Sequence, residues 1–413
     1  MSTRSVRRRF LLLRALRWIP TGLMLPVLVL LLLDRGLTLG QVGLGLGAQA
    51  VVVMFLELPT GGLADSMGRR KVLLAASAFD LVSIGVLIVA DTLPLIVAVF
   101  VLQGIYRALE SGPLDSWFVD RALALDPTSD IDSAMGASGA VIGLAIAAGS
   151  IGGSLIVASD PISRLDALVV PLIAALAVRA VEIFAISKLM IEPVTAGTTS
   201  NPPVSEVIRD ALTMIRTSHP LAALLAIEAL WGAGMIAFET FTPARLGAVL
   251  DNPDDAAAVL GPAVAVAWLL SAGAAAVVPA LSRRAGAPLV GFGLRIVQGA
   301  TVVGIAVFTG PVGVIAAYLA TLAVHGAANP IHQSLLHRAV TNSRQRTTVL
   351  SANSLAGNLG GAIGAVGLGA IADATTLSTA VLVGAALLAA AAPLYLRIPT
   401  FRPQRLVEQP GPL

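Results

Sequence analysis

The 413-residue sequence contains no cysteine and only four histidines. Disulfides, thiol catalysis, iron–sulfur ligation and cysteine-based zinc sites are therefore excluded. Charge is also scarce, at 12% of residues, where a soluble domain carries about 25%. No G-x-x-x-x-G-K-[ST] phosphate loop occurs, and no long polar stretch could house a nucleotide-binding domain. ATP-driven transport within this chain is thus not expected. A membrane-embedded enzyme is not expected either, because no nucleophile–base pair or metal constellation is recognisable.

What the chain does have is apolar residues, 56% of the total, with a mean hydropathy of +0.87. Apolar runs of about 20 residues recur along its length, each long enough to cross the hydrocarbon core. They are continuous rather than alternating, which excludes a transmembrane β-barrel. The runs predict twelve spans at about 14–33, 41–59, 72–90, 94–116, 134–158, 167–189, 220–243, 257–280, 288–308, 311–334, 348–371 and 377–396. A polar stretch with Thr-Ala-Gly-Thr-Thr-Ser-Asn-Pro-Pro separates the sixth from the seventh. The expected organisation is an all-α integral membrane protein of two six-helix bundles. The bundles would be 1–189 and 220–413 with its short tail, joined by a cytoplasmic linker at 190–219. Within the linker, Val204, Val207, Ile208, Leu212 and Ile215 recur at helical spacing, as in an amphipathic helix lying on the membrane surface.

Charge placement sets an expected topology. With the N-terminus inside, most arginines and lysines fall in inside segments, and only Arg35, Arg164 and Arg245 fall outside. The positive-inside rule reads this as an even number of spans with both termini cytoplasmic. The expected location is the plasma (inner) membrane, multi-pass. The pI near 9.8 then reflects cations facing anionic lipid rather than nucleic acid. Arg7-Arg8-Arg9-Phe10-Leu11 has the look of a twin-arginine export signal, yet an anchor for the first helix accounts for it, since eleven spans follow.

A charge at the bilayer centre costs about 2.5–3.5 kcal/mol on insertion scales. This chain places Glu57, Asp80, Arg107, Glu110, Asp115, Asp120, Arg179, Glu182, Glu228, Glu239 and Arg295 in or near its spans. Most must face a bundle interior or a water-filled cavity. Arg107 and Glu110, three apart, share a helix face and can pair. His325 is a candidate proton site in the tenth span, and Trp231 a candidate surface for an aromatic substrate. No His pair has metal-binding spacing.

The segment from Gly61 to Leu73, Gly-Gly-Leu-Ala-Asp65-Ser-Met-Gly68-Arg69-Arg70-Lys-Val-Leu, lies between the second and third spans. It resembles the signature loop of the major facilitator superfamily. Glu57-Leu-Pro59-Thr60-Gly61 before it, Ser111-Gly112 followed by an acid and Trp117, Pro330, and Arg346-Thr-Thr-Val-Leu-Ser351 resemble further stretches of bacterial members. Arg107-x-x-Glu110-x-Gly112 loosely resembles the family's fourth-helix Arg-x-x-Gln-Gly, with Glu for Gln and the glycine one residue later. The fifth-helix G-P-x-x-G-G of proton antiporters is matched only by Gly149-Ser-Ile-Gly152-Gly153, which also reads as small-residue packing, like Gly139/Gly143 and Gly360/Gly364. The chain further repeats itself: Leu281-Ser-Arg-Arg-Ala-Gly286 copies Leu63-Ala-Asp-Ser-Met-Gly68 at an offset of 286 − 68 = 218, as parallel transporter halves do.

The resemblance implies the twelve-helix alternating-access fold, closest to drug/proton antiporters. It implies a gate of Gly61, Asp65, Gly68, Arg69, Arg70 and Asp120, in which Asp65, Arg69 and Asp120 lock the outward-facing state. The expected activity is proton-coupled efflux of small amphipathic organic compounds, with no cofactor beyond the proton gradient. Uptake of a small metabolite by the same fold is the alternative. The expected partners are a small-molecule substrate and the bilayer, with the protein acting as a monomer.

Overall fold

The computed structural model describes residues 2–192, 209, 213, 216, 218–340 and 343–399, with the side chains of 58–62, 65 and 343–347 outside that description. Of the expected linker helix only Arg209, Thr213 and Arg216 are described, each helical. The remainder of that helix, Asp65's side chain and the C-terminal tail lie outside the described residues.

Twelve helical spans are long and apolar enough to cross a membrane. The first is α1 (Thr3–Met24) followed by α2 (Leu28–Asp34). The second and third are α3 (Leu39–Met67) and α4 (Arg69–Val89). The fourth is split into α5 (Leu93–Glu110) and α6 (Pro113–Leu125). Next come α7 (Ile131–Ser159) and α8 (Val170–Leu189). The seventh span is again split, into α9 (His219–Glu239) and α10 (Phe241–Leu250). Then follow α11 (Pro253–Ala285), α12 (Ala287–Val307), α13 (Pro311–Arg338) and α14 (Ser343–Ala374). The chain ends its last span with α15 (Leu377–Ala390) and α16 (Ala392–Tyr395).

Four expected continuous spans are therefore broken, the twelfth at Ala391, two residues before Pro393, and a proline lies at each break. A proline inside a helix lacks the amide N–H and clashes with the carbonyl four residues back. Pro26 interrupts the first span. Gly112, at φ 93°, and Pro113 interrupt the fourth. Pro243 sits four residues after Glu239, where α9 stops. The first span also begins eleven residues earlier than the apolar run suggested, so Arg14 and Arg17 lie in mid-helix rather than at its start.

Helix ends are capped locally. Thr38 and Gln41 form a capping box at the start of α3, and Asn252 accepts from Asp254 and Asp255 amides at the start of α11. Arg35 donates to the last carbonyls of α4, Leu87 and Ala90 at 2.6 Å and Ile88 at 2.8 Å, which satisfies acceptors a helix end leaves open.

The spans pack as two sets. In the first, α1 lies against α7 and α8, and α5 against α3 and α4; in the second, α9 lies against α14, and α13 against α11 and α12. The sets meet along α3 with α14 and along α7 with α11. Glycine permits the close approaches. A side chain at Gly360 or Gly364 would press on the α9 backbone at Ala229 or Ala233, and Gly149 and Gly153 sit against the α1 backbone at Gly22 and Leu23. The outward faces carry exposed Phe55, Leu144, Phe184 and Leu269, as a lipid-facing surface requires.

Candidate functional site

Between the two sets lies a cavity of about 240 Å³. Its walls come from α1, α2, α3, α4, α5, α8 and α9. Met24, Leu28, Leu46, Phe100, Met235 and Ile236 supply apolar surface; Gln49, Gln103, Thr21 and Thr240 supply neutral polar groups. Asp80 and Arg179 line it as an ion pair at 2.6 Å. Arg107 and Glu239 also line it, and both are exposed within it. They stand near enough to interact electrostatically, but no ion pair joins them.

The cavity is closed at one end of the bundle and less tightly packed at the other. At the end carrying residues 35–38 and 375–376, α2 packs on α10 and α11. There the Thr38 hydroxyl donates to Asp373 at 2.6 Å and the Gly40 amide does so at 3.1 Å. Ser154 donates to the Ala257 carbonyl and accepts from the Gly261 amide at 2.9 Å. Toward the end carrying Ser2, Gly68 and Gly286 the seam opens. A methyl added at Gly143 would meet Trp268 at 3.7 Å, but one added at Gly139 or Gly136, on the same face of α7, would enter open space. Gly139 is thus not part of a packed glycine seam, while Gly360 and Gly364 are.

Behind the cavity the first six spans enclose a charge network. Arg17 is paired with Glu110 and lies 3.3 Å from Glu182; Arg179 is paired with Glu182 and Asp80; Arg14 is paired with Asp115. Tyr106 lies under both Arg17 and Arg179, with centroid distances of 5.2 and 4.9 Å, and its hydroxyl accepts from Arg179 at 3.2 Å. Arg17 and Arg179 are 2% and 1% exposed. Partners are obligatory at such burial, since an isolated buried charge costs several kcal/mol. The expected Arg107–Glu110 pair is not formed. Glu110 turns to Arg17 of the first span instead, and Arg107, three residues earlier on α5, faces the cavity.

The signature turn is held by the first set. Gly68 takes φ 95°, ψ 136°, closing α3 and opening α4. Arg69 is paired with Asp120, as the resemblance implied, and Arg70 donates to the Ser187 carbonyl at 2.6 Å. Glu192, which the sequence did not single out, accepts from the Arg69 amide at 2.8 Å. The Trp117 indole donates to the Ile191 carbonyl at 3.2 Å. The chain just after α8 is therefore tied to both sides of the turn. Gly61 lies near the end of α3; it and the Asp65 side chain fall outside the described residues.

In the second set, Glu228 lies 3.2 Å from His332, whose Nε2 is 2.9 Å from the Asn353 Oδ1. Arg295 donates to Gln298 at 2.6 Å. Trp231 stacks on His325 at 5.5 Å between centroids, and Phe238 lies on the same imidazole at 5.9 Å. The Trp231 face is thereby covered by His325. Glu57 on α3 accepts from Ser354 on α14 at 2.8 and 3.0 Å, and from Asn358 at 3.5 Å, joining the two sets directly.

Sequence reasoning missed Arg14 and Arg17, the hubs of the network. Their i, i+3 spacing within an apolar run was the available signal, since it puts two cations on one helix face. Among the described residues no group of three or more His, Asp or Glu could hold a metal ion.

A family model described as Major Facilitator Superfamily matches residues 10–365. The chain belongs to this superfamily. No curated protein matches it significantly in sequence. Among solved structures it resembles the nucleoside transporter NupG (TM-score 0.78, 14% identity, 95% of this chain and 98% of that one). It also resembles a bacterial homolog of the human lysosomal transporter Spinster, in an inward-facing and unoccupied conformation (TM-score 0.75, 14%, 96% and 96%). A third likeness is the human organic anion transporter TETRAN (TM-score 0.62, 16%, 96% and 100%). At these identities the likeness shows the shared fold. The family and fold mark the chain as a multi-pass membrane transporter rather than an enzyme.

Proposed function

We propose that this transporter carries small amphipathic organic solutes by alternating access, exchanging them for protons across the plasma (inner) membrane with both termini cytoplasmic. The observation that carries the reading is the cavity between the two helix sets, closed at one end by α2 against α10 and lined by both apolar and charged groups. A static scaffold has no use for an open, charged chamber at membrane depth, because each charge there costs free energy. Proton exchange draws support from the network's composition. Four carboxyl groups, Asp80, Glu110, Asp115 and Glu182, share three guanidinium groups, Arg14, Arg17 and Arg179. One carboxyl in excess favours an added proton in such surroundings. The gate role of Asp65, Arg69, Arg70 and Asp120, and coupling roles for Glu57, Asp80, Glu110, Asp115, Glu228, Arg295 and His325, belong to the same proposal.

A second reading, uptake of a small metabolite, is favoured by size. About 240 Å³ falls below the roughly 300–1,000 Å³ of sites for drug-sized ligands.

The test is proteoliposomes holding a pH-sensitive dye, an imposed proton gradient, and a panel of lipophilic drugs and small metabolites. Drug-dependent collapse of the gradient, lost in Glu110→Gln, supports proton-coupled efflux. Gradient-independent uptake of a metabolite, with no response to any drug, sinks the efflux reading and leaves facilitated transport.

A further inference from the structure

Arg107 and Glu239 differ from the other membrane-depth charges in this protein. The network charges are satisfied: Arg14, Arg17 and Arg179 have carboxylate partners, and Arg295 has Gln298. Among the described residues neither Arg107 nor Glu239 has an ion pair or hydrogen bond; they act on each other only at a distance across the cavity that both line. They come from opposite sides of it, Arg107 from α5 in the first helix set and Glu239 from the end of α9 in the second. Glu239 is the last residue of α9, four residues before Pro243. Phe100, Met235 and Ile236 supply apolar surface to the same cavity.

We infer that the cavity is a site for a small zwitterion with an apolar body. Its carboxylate would be held by Arg107 and its ammonium by Glu239. This rests on the transport reading, whose cavity it specifies further.

The inference follows from counting charges that a ligand would leave unpaired. A monocation meets Glu239 but is repelled by Arg107. A monoanion meets Arg107 but is repelled by Glu239. A neutral solute leaves both buried beneath it without partners, which is the costly outcome for any desolvated charge. Only a molecule bearing both charges at its two ends neutralises both at once, and a guanidinium suits a carboxylate by its fork of parallel donors. The cavity's size selects a molecule of amino-acid dimensions rather than a drug-sized one. Arg107 and Glu239 also sit on different helix sets, so one bound zwitterion links the two halves that must move against each other.

The experiment measures ligand protection against thermal unfolding in detergent, and counterflow in proteoliposomes, for one panel. The zwitterions are alanine, leucine and phenylalanine; leucinamide is the cation, N-acetylleucine the anion and 4-methylpentanamide the neutral probe. The expected result is protection by at least one zwitterion at concentrations about tenfold or more below those needed for its charge-deleted analogues, the worth of one charge-assisted contact. Arg107→Gln should lose the zwitterion and gain on leucinamide; Glu239→Gln should lose it and gain on N-acetylleucine. The exchanged pair Arg107→Glu with Glu239→Arg should recover zwitterion binding, which a fold defect would not allow. Protection by none of the zwitterions overturns the inference, as does equal protection by leucinamide or 4-methylpentanamide in the unaltered protein. Zwitterion protection without counterflow leaves the site standing and refutes transport. Counterflow of a lipophilic cation without zwitterion protection does the reverse.

Discussion

Gly68 and Gly286, 286 − 68 = 218 residues apart, share one backbone conformation, φ 95°, ψ 136° and φ 83°, ψ 139°. Each ends one long helix and begins the next, α3 to α4 and α11 to α12. The sequence repeat around them is degenerate, with Arg283 where the first copy has Asp65, yet the turn is the same. A backbone requirement outlasts the side chains that decorate it, because only glycine enters this region without strain. Gly68→Ala and Gly286→Ala should each destabilise the protein by about 1–3 kcal/mol. At Gly68 the added methyl would also meet Glu192 at 3.0 Å. Thermal unfolding midpoints in detergent check both losses.

A contrast between two helical glycines separates packing from propensity. Gly364 lies against the Ala233 backbone, whereas Gly139 has nothing within 4 Å. Gly364→Ala should push α14 off α9 and cost about 1–3 kcal/mol by overpacking. Gly139→Ala should be neutral or stabilising by up to about 1 kcal/mol, because alanine is the better helix former. Equal effects at both sites would refute the assignment of Gly364 to a packed seam. The same thermal midpoints decide it.

How much was legible beforehand differs by level. The twelve spans were readable because twenty-residue apolar runs have no other use in so uncharged a chain, and the signature turn because its charges and glycines are contiguous. The breaks in the first, fourth, seventh and twelfth spans were not drawn, although Pro26, Pro113, Pro243 and Pro393 marked them. Hydropathy averages over a window and does not see a missing amide. The partner of Glu110 was misjudged for a different reason. Spacing along one helix offered Arg107, but the structure offers Arg17 from a helix 93 residues away in sequence, and tertiary neighbours outbid local ones. Arg14 and Arg17 escaped notice although the expected first span, 14–33, contains both, because at its start they read as part of the basic N-terminal flank. Arg69 with Asp120 was anticipated by resemblance, while Glu192 on the signature turn lies beyond any local pattern.

Arg17 joins Glu110 and Glu182, on the fourth and sixth spans, to the first. Arg17→Leu should strand Glu110, take one of Glu182's two partners and cost about 3–5 kcal/mol, the usual penalty for removing one partner of a buried pair. Adding Glu110→Gln should recover part of that loss rather than add to it, with a coupling of about 0.5–3 kcal/mol. Glu182 keeps Arg179, so Glu110 is the carboxylate whose neutralisation should rescue. A double-mutant cycle on unfolding in detergent measures the coupling. Simple additivity would mean that the two side chains do not act as a pair.

Glu57 and Ser354 lie on different helix sets and bond at 2.8 and 3.0 Å, so their contact belongs to the relative position of the two halves. A hydrogen bond to a charged group contributes about 1.5–3 kcal/mol. Ser354→Ala removes that donor without emptying much volume, and it should weaken the present arrangement relative to any in which the halves sit differently. Since 1.4 kcal/mol is a factor of ten, the balance should shift about tenfold or more. The absence of native cysteine makes the measurement direct. Spin labels introduced through Asp126→Cys on the first set and Ala285→Cys on the second report one distance across the seam, free of background labelling. Ser354→Ala should move population out of the distance seen in the unaltered protein into a second one. An unchanged distribution would mean that the bond survives in every arrangement the halves adopt, and that Glu57 serves the α3–α14 contact alone.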